Sequence, residues 1–539
     1  MQKYIYDMGF EEFEKYEELS KTLGYSIFSS LLKNADREIL IDYSGNEKTY
    51  TCAELLKYGL ALSKVIKSQI SSKRVGLAMP PCAYSIVANH ACIFAGKVPV
   101  NLNFTMGLTA AKSCIETSGV DTIISTLPAR EKIEKANPTF PWTENFFDVA
   151  TEISRLDNLP DLSLPKEALM SEFEIEENAR TDKKEATLIF TSGSEGAPKA
   201  AILTEKNIIA NCLQTKLSEV FKPDDLLLGN LPIFHSFGLL FEVWLLALAP
   251  QKTLTLSSPI DIKANLRAIK TYKPTVMIGS PTFFRAYLRN AKREDLKSLR
   301  NVIAGAEKTP KGFEQHWNEH FGEGSYAEGY GLTETTPVVG VNLPDRDFGF
   351  FSTGKRKGSI GKIFPGMCAR ILNPSNLEEL PFGEQGLISF KGANVFAGYL
   401  NNPEATKAAL HGEWLVTGDL GRLDSDGFLY VDGRLSRFSK IGGEMVPHAT
   451  VETALAKALG LDKSELPLLA ISSRLDVDKG EAIVLVSAVD LELARVKEAL
   501  RQSGISNLWM PKYIVRTDKI PLLASGKLDL KALSDLAKA

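Results

Sequence analysis

The stretch "EATLIFTSGSEGAPKA", residues 185–200, joins a short apolar run to a loop rich in glycine and hydroxyl side chains. The apolar run predicts a strand buried on both faces, because such strands lack the alternation of a half-exposed sheet. The loop suits a bound polyanion, since glycine lets the backbone approach closely while amides and hydroxyls donate to oxygen atoms. The candidate phosphate contacts are Thr191, Ser192, Gly193, Ser194, Gly196 and Lys199.

This loop differs from the phosphate loop of simple ATPases. The pattern GxxxxGK[ST] needs a longer spacing, whereas here Gly193 and Gly196 are three residues apart and Pro198 precedes Lys199. A loop of this composition by itself is more often a plain turn, so its interpretation depends on the rest of the chain. Glu195 adds a carboxylate where the chemistry favours positive charge.

A succession of strand, turn and helix recurs along the chain. The strand patterns include "KRVGLAMP" (73–80), "GVDTIIST" (119–126), "PTVMIGSP" (274–281) and "LRNVIAGAE" (299–307), and they predict a layered α/β fold. After about residue 355 glycines become dense, which predicts a β-rich subdomain of short strands and tight turns. The last hundred or so residues alternate helical and strand patterns and predict a small α+β domain.

Composition indicates an enzyme-sized globular protein of 539 residues, long enough for two to four domains. With 63 basic and 66 acidic residues the net charge is 63 − 66 = −3, so nothing global indicates nucleic acid or a membrane surface. From Arg434 to the end we count 16 Lys and Arg against 13 Asp and Glu, a charge of +3, against −6 for residues 1–433. An acidic partner could dock on this basic C-terminal part, although scattered surface charge is the more common explanation.

Cysteine usage and the termini indicate a cytoplasmic protein. No two cysteines have CxxC spacing, and we expect buried thiols in a reducing compartment. The N-terminus has no signal-peptide pattern, and the longest apolar run, residues 237–250, is interrupted by Glu242 and is too short to span a bilayer. Membrane contact stays open. The cysteines are Cys52, Cys82, Cys92, Cys114, Cys212 and Cys368.

Later segments strengthen the phosphate interpretation. "YAEGYGLTETTPVV" (326–339) offers Tyr330 for stacking on a base, beside Thr333 and Glu334, and Mg²⁺ prefers a carboxylate together with phosphate oxygens. Asp419 could accept both hydroxyls of a ribose, although a turn-capping aspartate is an equally common explanation. Lys527 lies on a glycine turn in "PLLASGKLDLKAL" (521–533), where a lone lysine is normally just solvated.

Taken in this order, these motifs resemble the ANL superfamily of adenylate-forming enzymes, from about residue 25 to the C-terminus. That superfamily includes acyl-CoA synthetases, adenylation domains of peptide synthetases, and luciferase. The resemblance implies a large N-terminal AMP-binding domain, residues 1–433, and a small mobile C-terminal domain, residues 438–539. A hinge at 434–437 would separate them.

The resemblance also implies roles for individual residues in a reaction that uses ATP and Mg²⁺. The loop Thr191–Lys199 would embrace the β- and γ-phosphates, with Thr333 as a further phosphate contact and Glu334 as the Mg²⁺ ligand. Lys527 would bridge the substrate carboxylate and the α-phosphate, where a fixed cation stabilises the developing charge. The implied adenine and ribose contacts are Tyr330, Gly305, Ala306, Glu307, Asp419 and Arg434.

A second step, attack of a thiol on the acyl-adenylate, would follow rotation of the C-terminal domain. The hinge position falls on Ser436, where Asp or Lys is more usual in the superfamily. After rotation the loop with Lys440, Gly442 and Gly443 would face the site and leave room for a slim thiol arm.

The acid would bind beside "NLPIFHSFGLL" (230–240), which contains His235. A core histidine at a strand end is the plain alternative; the motif match favours a role in positioning the carboxylate. The expected acyl wall comprises Phe237, Gly279, Ser280 and Phe283.

Departures such as Glu195 and Ala200 are similar to those of a subgroup, the acyl-ACP synthetase half of bacterial 2-acylglycerophosphoethanolamine acyltransferase/acyl-ACP synthetases. No histidine has Asp five residues later, so the acyltransferase pattern HxxxxD is missing. The similarity predicts a fatty acid–ACP ligase in phospholipid metabolism, with holo acyl carrier protein as partner. Glu195 could pair with Lys199 until ATP enters. The expected docking residues are Arg437, Lys440, Arg474, Lys479 and Lys512.

Three alternatives stay open at this point. A long-chain acyl-CoA synthetase differs only in using CoA as the thiol. A non-catalytic acyl- or nucleotide-binding protein would keep the fold, but Glu334, Asp419, Arg434 and Lys527 are all present. An enzyme feeding a peptide synthetase would usually be fused to a carrier domain. Chain length of the acid and oligomeric state do not follow from the sequence.

Overall fold

The computed structural model describes residues 4–44, 47–179, 181–191, 198–310, 312–322, 325–441, 444–462, 464, 466–476, 480–522 and 528–538. The chain divides into two compact units. The larger contains Met1–Thr191, Pro198–Thr417 and Gly421–Val431, and the second contains Gly418–Leu420 and Asp432–Ala539. Within the described residues no helix is both long and apolar enough to cross a membrane.

The helices alternate with strands along most of the chain. They are α1 Phe10–Phe13, α2 Leu23–Lys33, α3 Cys52–Gln69, α4 Ala83–Phe94, α5 Leu108–Ser118, α6 Leu127–Ala136, α7 Val149–Ser154, α8 Lys166–Glu172, α9 Glu205–Leu217, α10 Ser236–Leu239, α11 Leu245–Leu248, α12 Ile262–Tyr272, α13 Pro281–Asn290, α14 Phe313–Phe321, α15 Pro403–Ala409, α16 His448–Ala458, α17 Leu493–Gln502 and α18 Leu530–Lys538. A π-helical turn, Leu240–Trp244, joins α10 to α11.

The strands are mostly short. They are β1 Tyr6–Asp7, β2 Glu38–Asp42, β3 Lys48–Thr51, β4 Arg74–Leu77, β5 Val98–Asn101, β6 Thr122–Ser125, β7 Asn145–Asp148, β8 Glu185–Thr191, β9 Lys199–Thr204, β10 Leu227–Gly229, β11 Thr253–Thr255, β12 Val276–Gly279, β13 Asn301–Ala304, β14 Tyr326–Gly331, β15 Val338–Val341, β16 Arg346–Asp347, β17 Ser352–Thr353, β18 Met367–Leu372, β19 Gly386–Gly392, β20 Leu410–His411, β21 Trp414–Leu423, β22 Leu429–Arg434, β23 Phe438–Ile441, β24 Glu444–Pro447, β25 Leu469–Asp476, β26 Gly480–Ser487 and β27 Tyr513–Arg516.

Two large sheets organise the larger unit. The first has the order β7-β6-β4-β5-β8-β9 and the second the order β15-β14-β13-β12-β10-β11-β2-β3. The main core cluster joins both sheets through residues of α2, α3, α4, α9 and α11, so these helices form a layer between them. A separate cluster places α12, α13 and α14 on the other face of the second sheet, and another places α5 on the other face of the first. This is the layered α/β arrangement that the sequence predicts.

The glycine-rich region after residue 355 contributes a third sheet with the order β1-β18-β19-β21-β20, to which β22 is added through β21. The sequence predicts its β-rich character but not β1, whose Tyr6 pairs with Ala369. A strand of two residues carries too little periodicity to be recognised without its partner.

In the second unit, β24-β23-β26-β25 form a sheet that β27 extends through β26. Residues of α16 and α17 belong to one core cluster with this sheet, and α18 belongs to another. The predicted α+β character of this region is confirmed. All six cysteines are unpaired and buried, as expected, and burial raises the pKa of each thiol for which a shift is resolved, for example Cys92 to about 12.

Candidate active site

The predicted phosphate loop belongs to a hairpin of the first sheet. β8 and β9 pair antiparallel with Thr191 opposite Lys199, and the Thr191 hydroxyl donates to the Lys199 carbonyl oxygen at 3.4 Å. Lys199 is therefore the first residue of the strand that leaves the loop. Ser192, Gly193, Ser194, Glu195 and Gly196 lie outside the described residues, so their roles stay predictions.

Lys199, Tyr399 and Glu334 form a linked group beside this hairpin. The Tyr399 hydroxyl donates to Glu334 Oε1 at 2.6 Å, and Lys199 Nζ lies 5.5 Å from the centroid of the Tyr399 ring. The Leu400 amide donates to the Ala200 carbonyl at 2.8 Å, so the segment carrying Tyr399 runs along β9. Backbone pairing thus brings a cation and a carboxylate to the same tyrosine.

A tight turn after β14 carries Thr333 and Glu334, which lie in a short 3₁₀ helix, Thr333–Thr335. A Cβ on Gly331 would lie 1.9 Å from the Pro337 carbonyl oxygen, so only glycine fits there. The hydroxyl oxygens of Ser236 and Thr333 lie 3.2 Å apart. The turn therefore meets the N-terminal residue of α10, and the two hydroxyls lie within hydrogen-bond distance of each other.

A buried amide cluster, Asn211, Gln214 and Asn394, supports this turn from behind. Asn394 donates to the Thr335 carbonyl at 2.8 Å, while Asn211 donates to the Val338 carbonyl at 2.8 Å and accepts from the Val338 amide at 3.0 Å. The three side chains are fully buried. Asn211 and Asn394 thus satisfy backbone groups at the turn, and Gln214 accepts from Asn211 at 2.9 Å.

The sequence analysis missed this cluster, although one signal was present. Asn207, Asn211 and Gln214 follow the i, i+4, i+7 spacing in the otherwise apolar middle of α9, which places them on one helix face. Tyr399 carried no such signal, since it lies 65 residues beyond Glu334.

The residues expected to line the acid and adenine sites meet at the carboxyl ends of β12 and β13. The Gly305 amide donates to the Gly279 carbonyl at 2.9 Å, and the Phe237 ring lies 3.2 Å from a Cβ built on Gly305. Thr282 donates to Glu307 at 2.6 Å. Ligands of open α/β sheets bind outside such strand ends, so the two sets of residues share one edge of the sheet.

The remaining predicted residues of this edge are placed as follows. Ser280 is the N-cap of α13 and accepts from the Phe283 amide at 3.4 Å. Ala306 is exposed and has a positive φ of 65°. Tyr330 is half-buried, with its ring centroid 6.2 Å from that of Phe390.

His235 is half-buried at the N-cap position of α10, not in the core. Its ring lies 4.8 Å from the Phe234 ring, and its backbone amide donates to the Pro232 carbonyl at 3.1 Å. A Cβ on Gly238 would lie 2.4 Å from that same carbonyl oxygen. The turn that carries His235 is therefore packed directly on the helix that follows it.

Glu242, in the π-helical turn, supports the same segment from the interior. Its Oε1 accepts from the Leu231 amide at 2.7 Å, and Oε2 accepts from the Thr255 hydroxyl at 3.4 Å. The side chain is fully buried. Burial raises the pKa of this carboxyl well above its usual value, which favours the neutral acid.

The predicted ribose contacts lie in the second unit. Arg434 Nε and Asp419 Oδ1 form an ion pair at 2.8 Å, with Asp419 buried and Arg434 exposed. Asp419 lies inside β21 and not at a turn, which argues against a turn-capping role. Ser436 is exposed in a short 3₁₀ helix, Leu435–Arg437.

The backbone of Lys440 lies in β23, while Gly442, Gly443 and Lys527 lie outside the described residues. The hinge, the thiol-arm loop and the mobile lysine therefore stay predictions.

The expected docking face of the second unit needs one correction. Arg437 is largely buried, because its guanidinium bonds Glu452 at 2.6 Å and the Ile471 carbonyl at 3.0 Å. It is a structural residue and is not available to a partner. Arg474 lies 3.4 Å over the Tyr513 ring, Lys512 pairs with Asp476 at 2.5 Å, and Lys479 lies outside the described residues.

The described residues contain no cluster of three or more His, Cys, Asp or Glu side chains able to hold a metal by themselves. Glu334 offers one carboxylate whose Oε1 is oriented by Tyr399. Mg²⁺ commonly binds one or two carboxylates and completes its octahedron with phosphate oxygens and water. The residues present therefore fit a magnesium ion that arrives with a nucleotide.

Comparison with known proteins extends these observations. The family model of AMP-binding enzymes matches residues 28–400. The chain is 27% identical over 554 aligned positions to a long-chain-fatty-acid–CoA ligase of Bacillus subtilis, covering 94% of this chain and 93% of the relative. It is 29% identical over 445 positions to a feruloyl-CoA synthase of Amycolatopsis sp., covering 81% and 83%.

Among solved structures, o-succinylbenzoate coenzyme A synthetase of Bacillus subtilis, in complex with ATP and magnesium ion, is similar with a TM-score of 0.76. It is 23% identical and covers 95% of this chain and 99% of that one. This likeness confirms the expected fold, with a large N-terminal and a smaller C-terminal domain. Since the family model covers well over half of the chain, the protein belongs to the AMP-binding enzymes of the ANL superfamily.

Proposed function

We propose that this AMP-forming acid–thiol ligase activates a fatty acid with ATP and transfers the acyl group to the thiol of CoA. The observation that carries the proposal is the group formed by Lys199, Tyr399 and Glu334, where a cation and an oriented carboxylate flank the phosphate hairpin. The nearly full-length match to a long-chain-fatty-acid–CoA ligase supports the choice of acid and thiol. The two relatives and the solved structure compared above are all named as CoA ligases, synthases or synthetases, so acyl carrier protein, favoured by the sequence, becomes the alternative thiol.

In the first step a carboxylate oxygen of the acid attacks the α-phosphorus of ATP, and the bond to the bridging oxygen breaks to release pyrophosphate. Lys199 holds the phosphates electrostatically, and the hydroxyls of Thr333 and Ser236 donate hydrogen bonds to them. Glu334 supplies a carboxylate oxygen to Mg²⁺, which offsets the negative charge of the phosphates. Such fixed groups stabilise the transition state because they need no reorganisation during the reaction.

The acid binds at the shared edge of β12 and β13. His235 positions its carboxylate, while the acyl wall is formed by Phe237, Gly279, Ser280 and Phe283. Asp419 and Arg434 contact the ribose, with Tyr330 and Gly305–Glu307 around the adenine. Lys527 neutralises charge at the α-phosphate.

In the second step the thiol sulfur attacks the acyl carbonyl carbon and loses its proton, the acyl–phosphate C–O bond breaks, and AMP leaves. Movement of the C-terminal domain about Ser436 would bring Lys440, Gly442 and Gly443 to the thiol arm. Separate arrangements for the two steps let one site perform both.

The test incubates the full chain with palmitate, ATP and Mg²⁺ and offers CoA and holo acyl carrier protein in parallel reactions. Thioester is measured by mass spectrometry, and AMP and pyrophosphate by enzymatic coupling. Glu334→Gln removes the proposed metal ligand, and Glu131→Gln, an exposed residue of α6, is the matched control.

We expect palmitoyl-CoA with equal amounts of AMP and pyrophosphate, a loss of at least roughly 100-fold in Glu334→Gln, and no loss in Glu131→Gln. Thioester only on the carrier protein would contradict the CoA assignment while leaving the adenylation chemistry in place. Release of AMP with aromatic but not with fatty acids would contradict the choice of acid.

A further inference from the structure

One segment of the larger unit carries an unusual concentration of positive charge. Residues 257–300 contain ten Lys and Arg but three Asp and Glu, a charge of 10 − 3 = +7. The whole chain has −3, so all other residues together carry −3 − 7 = −10. Charge separation of this size creates a local positive potential on an otherwise acidic protein.

The segment folds so that much of this charge lies on one surface. α12 and α13 both pack on the same face of the second sheet, through Ile269 of α12 and Phe284 and Tyr287 of α13. Their opposite faces are therefore directed away from the sheet. We define the α12–α13 surface by the exposed side chains Lys263, Arg267, Arg285, Arg289 and Lys292.

Ion pairs with acidic side chains neutralise only a small part of this positive charge. Lys270 pairs with Asp295 at 2.9 Å, and Arg300 pairs with Asp225. In contrast, no ion pair to any described residue involves Lys263, Arg267 or Arg285. The charge of these three side chains is available to an external anionic partner.

An apolar side chain stands at the edge of this surface. Ile260 is 75% exposed, and no other large apolar side chain of residues 257–300, all of them described, is exposed to a comparable degree. The buried Asn265 donates to the carbonyls of Ser258 and Asp261 at 2.9 and 2.7 Å. These hydrogen bonds from a buried side chain fix the backbone of the loop on which Ile260 is exposed.

We propose that the α12–α13 surface docks on an anionic lipid bilayer, with Ile260 entering the interfacial region. Basic side chains near an anionic membrane each contribute attraction, and a single apolar side chain adds burial at the headgroup boundary. Protein interfaces instead bury a core of several apolar and aromatic side chains, which this surface lacks. A basic surface with one isolated apolar residue is therefore a better match for an anionic bilayer than for an acidic protein partner.

The position of the surface suits an enzyme whose substrate partitions into membranes. α13 begins at Pro281, directly after Gly279 and Ser280 at the proposed acid site. Docking there would bring that edge of the sheet towards the bilayer. The docking itself goes beyond the proposed reaction and is measured without ATP or acid, so either proposal can fail alone.

The test is flotation of the full chain with vesicles of phosphatidylcholine alone and of phosphatidylcholine with about one third phosphatidylglycerol, at low and high salt. The triple variant Lys263→Glu, Arg267→Glu, Arg285→Glu reverses the charge of the surface. The triple variant Lys112→Glu, Lys132→Glu, Lys135→Glu makes the same change on exposed residues of α5 and α6. Ile260→Ser tests the apolar contact by itself.

We expect binding to anionic vesicles that weakens at high salt, because screening shortens the range of the attraction. The α12–α13 variant should lose at least on the order of 100-fold in partitioning, because three basic residues at about 1 kcal/mol each contribute about 3 kcal/mol and about 1.4 kcal/mol is a factor of ten. The control variant should retain binding, and Ile260→Ser should lose several-fold. Equal binding of wild type and the α12–α13 variant, or equal binding to neutral vesicles, would overturn the proposal. Capture of an acidic carrier protein but no vesicles by this surface would overturn it as well.

Discussion

The Tyr399 hydroxyl donates a 2.6 Å hydrogen bond to Glu334 Oε1 while the same ring lies 5.5 Å from Lys199 Nζ. Tyr399 therefore contacts Glu334, the candidate metal ligand, and lies beside Lys199, the candidate phosphate-binding lysine. The hydroxyl orients the carboxylate without neutralising it, because a tyrosine donor adds no charge. We infer that Tyr399 is a positioning residue for the nucleotide side of the site.

Tyr399→Phe should weaken the use of ATP and leave the acid site unchanged. A hydrogen bond to a charged acceptor contributes about 1.5–3 kcal/mol, so we expect kcat/KM for MgATP to fall by roughly 10- to 100-fold. The KM for the fatty acid should stay the same. Steady-state kinetics with each substrate varied in turn measures both effects.

Tyr272→Phe is the matched control, since the Tyr272 hydroxyl donates to Glu47 at 2.9 Å on the protein surface, outside the site segments. It should leave both constants unchanged. An equal rise of the KM for MgATP and the KM for the fatty acid in Tyr399→Phe, or unchanged kinetics with MgATP, would contradict a role of the Tyr399–Glu334 hydrogen bond in nucleotide binding.

The layered fold could be predicted because its strands follow simple rules. β8, β12 and β13 read as continuous apolar runs ended by a turn, as buried strands do, and the structure places each of them where the pattern predicts. β1 could not be predicted, because two residues with no periodicity become a strand only when β18 pairs with them.

The residues of the candidate site also fall into those that the sequence could predict and those that it could not. Lys199, Thr333 and Glu334 lie in local motifs, so the sequence alone could identify them as candidate site residues. Tyr399, Ser236 and Asn394 act through contacts between distant segments, which local spacing does not encode. Arg437 shows the opposite error: an arginine in a basic region is predicted to be a surface residue, and only the structure reveals its ion pair with the half-buried Glu452.

Asn211→Leu should destabilise the protein by about 2–5 kcal/mol. The substitution removes the acceptor of the Val338 amide and the donor to Gln214 Oε1, and each buried group left without a partner costs about 1–3 kcal/mol. Asn290→Leu, which alters an exposed asparagine that donates to Ala286, should change stability by no more than about 0.5 kcal/mol. Thermal unfolding of both variants measures the difference. Equal losses in the two would mean that the amide cluster does not hold the turn that carries Glu334.

Glu242→Gln tests whether this carboxyl is neutral in the native protein. Burial raises its folded-state pKa above the ordinary value of 4.5, so above about pH 4.5 the native state keeps a proton that the unfolded chain releases. Native stability then falls as pH rises, by up to ~1.4 kcal/mol per pH unit until the folded-state pKa is reached. The amide of glutamine keeps the acceptor for the Leu231 amide, has a donor for Thr255, and does not titrate.

The Tm advantage of Glu242→Gln over wild type should therefore increase between about pH 5 and about pH 8. Glu131→Gln, at an exposed position of α6, should show no such trend. Glu242→Ala should be less stable than Glu242→Gln at every pH, because it leaves the Leu231 amide buried without an acceptor. A wild-type protein that gains stability relative to Glu242→Gln as pH rises would mean that the buried carboxyl is ionised and that the Leu231 contact is a charged one. Scanning calorimetry of the variants across this pH range distinguishes the two cases.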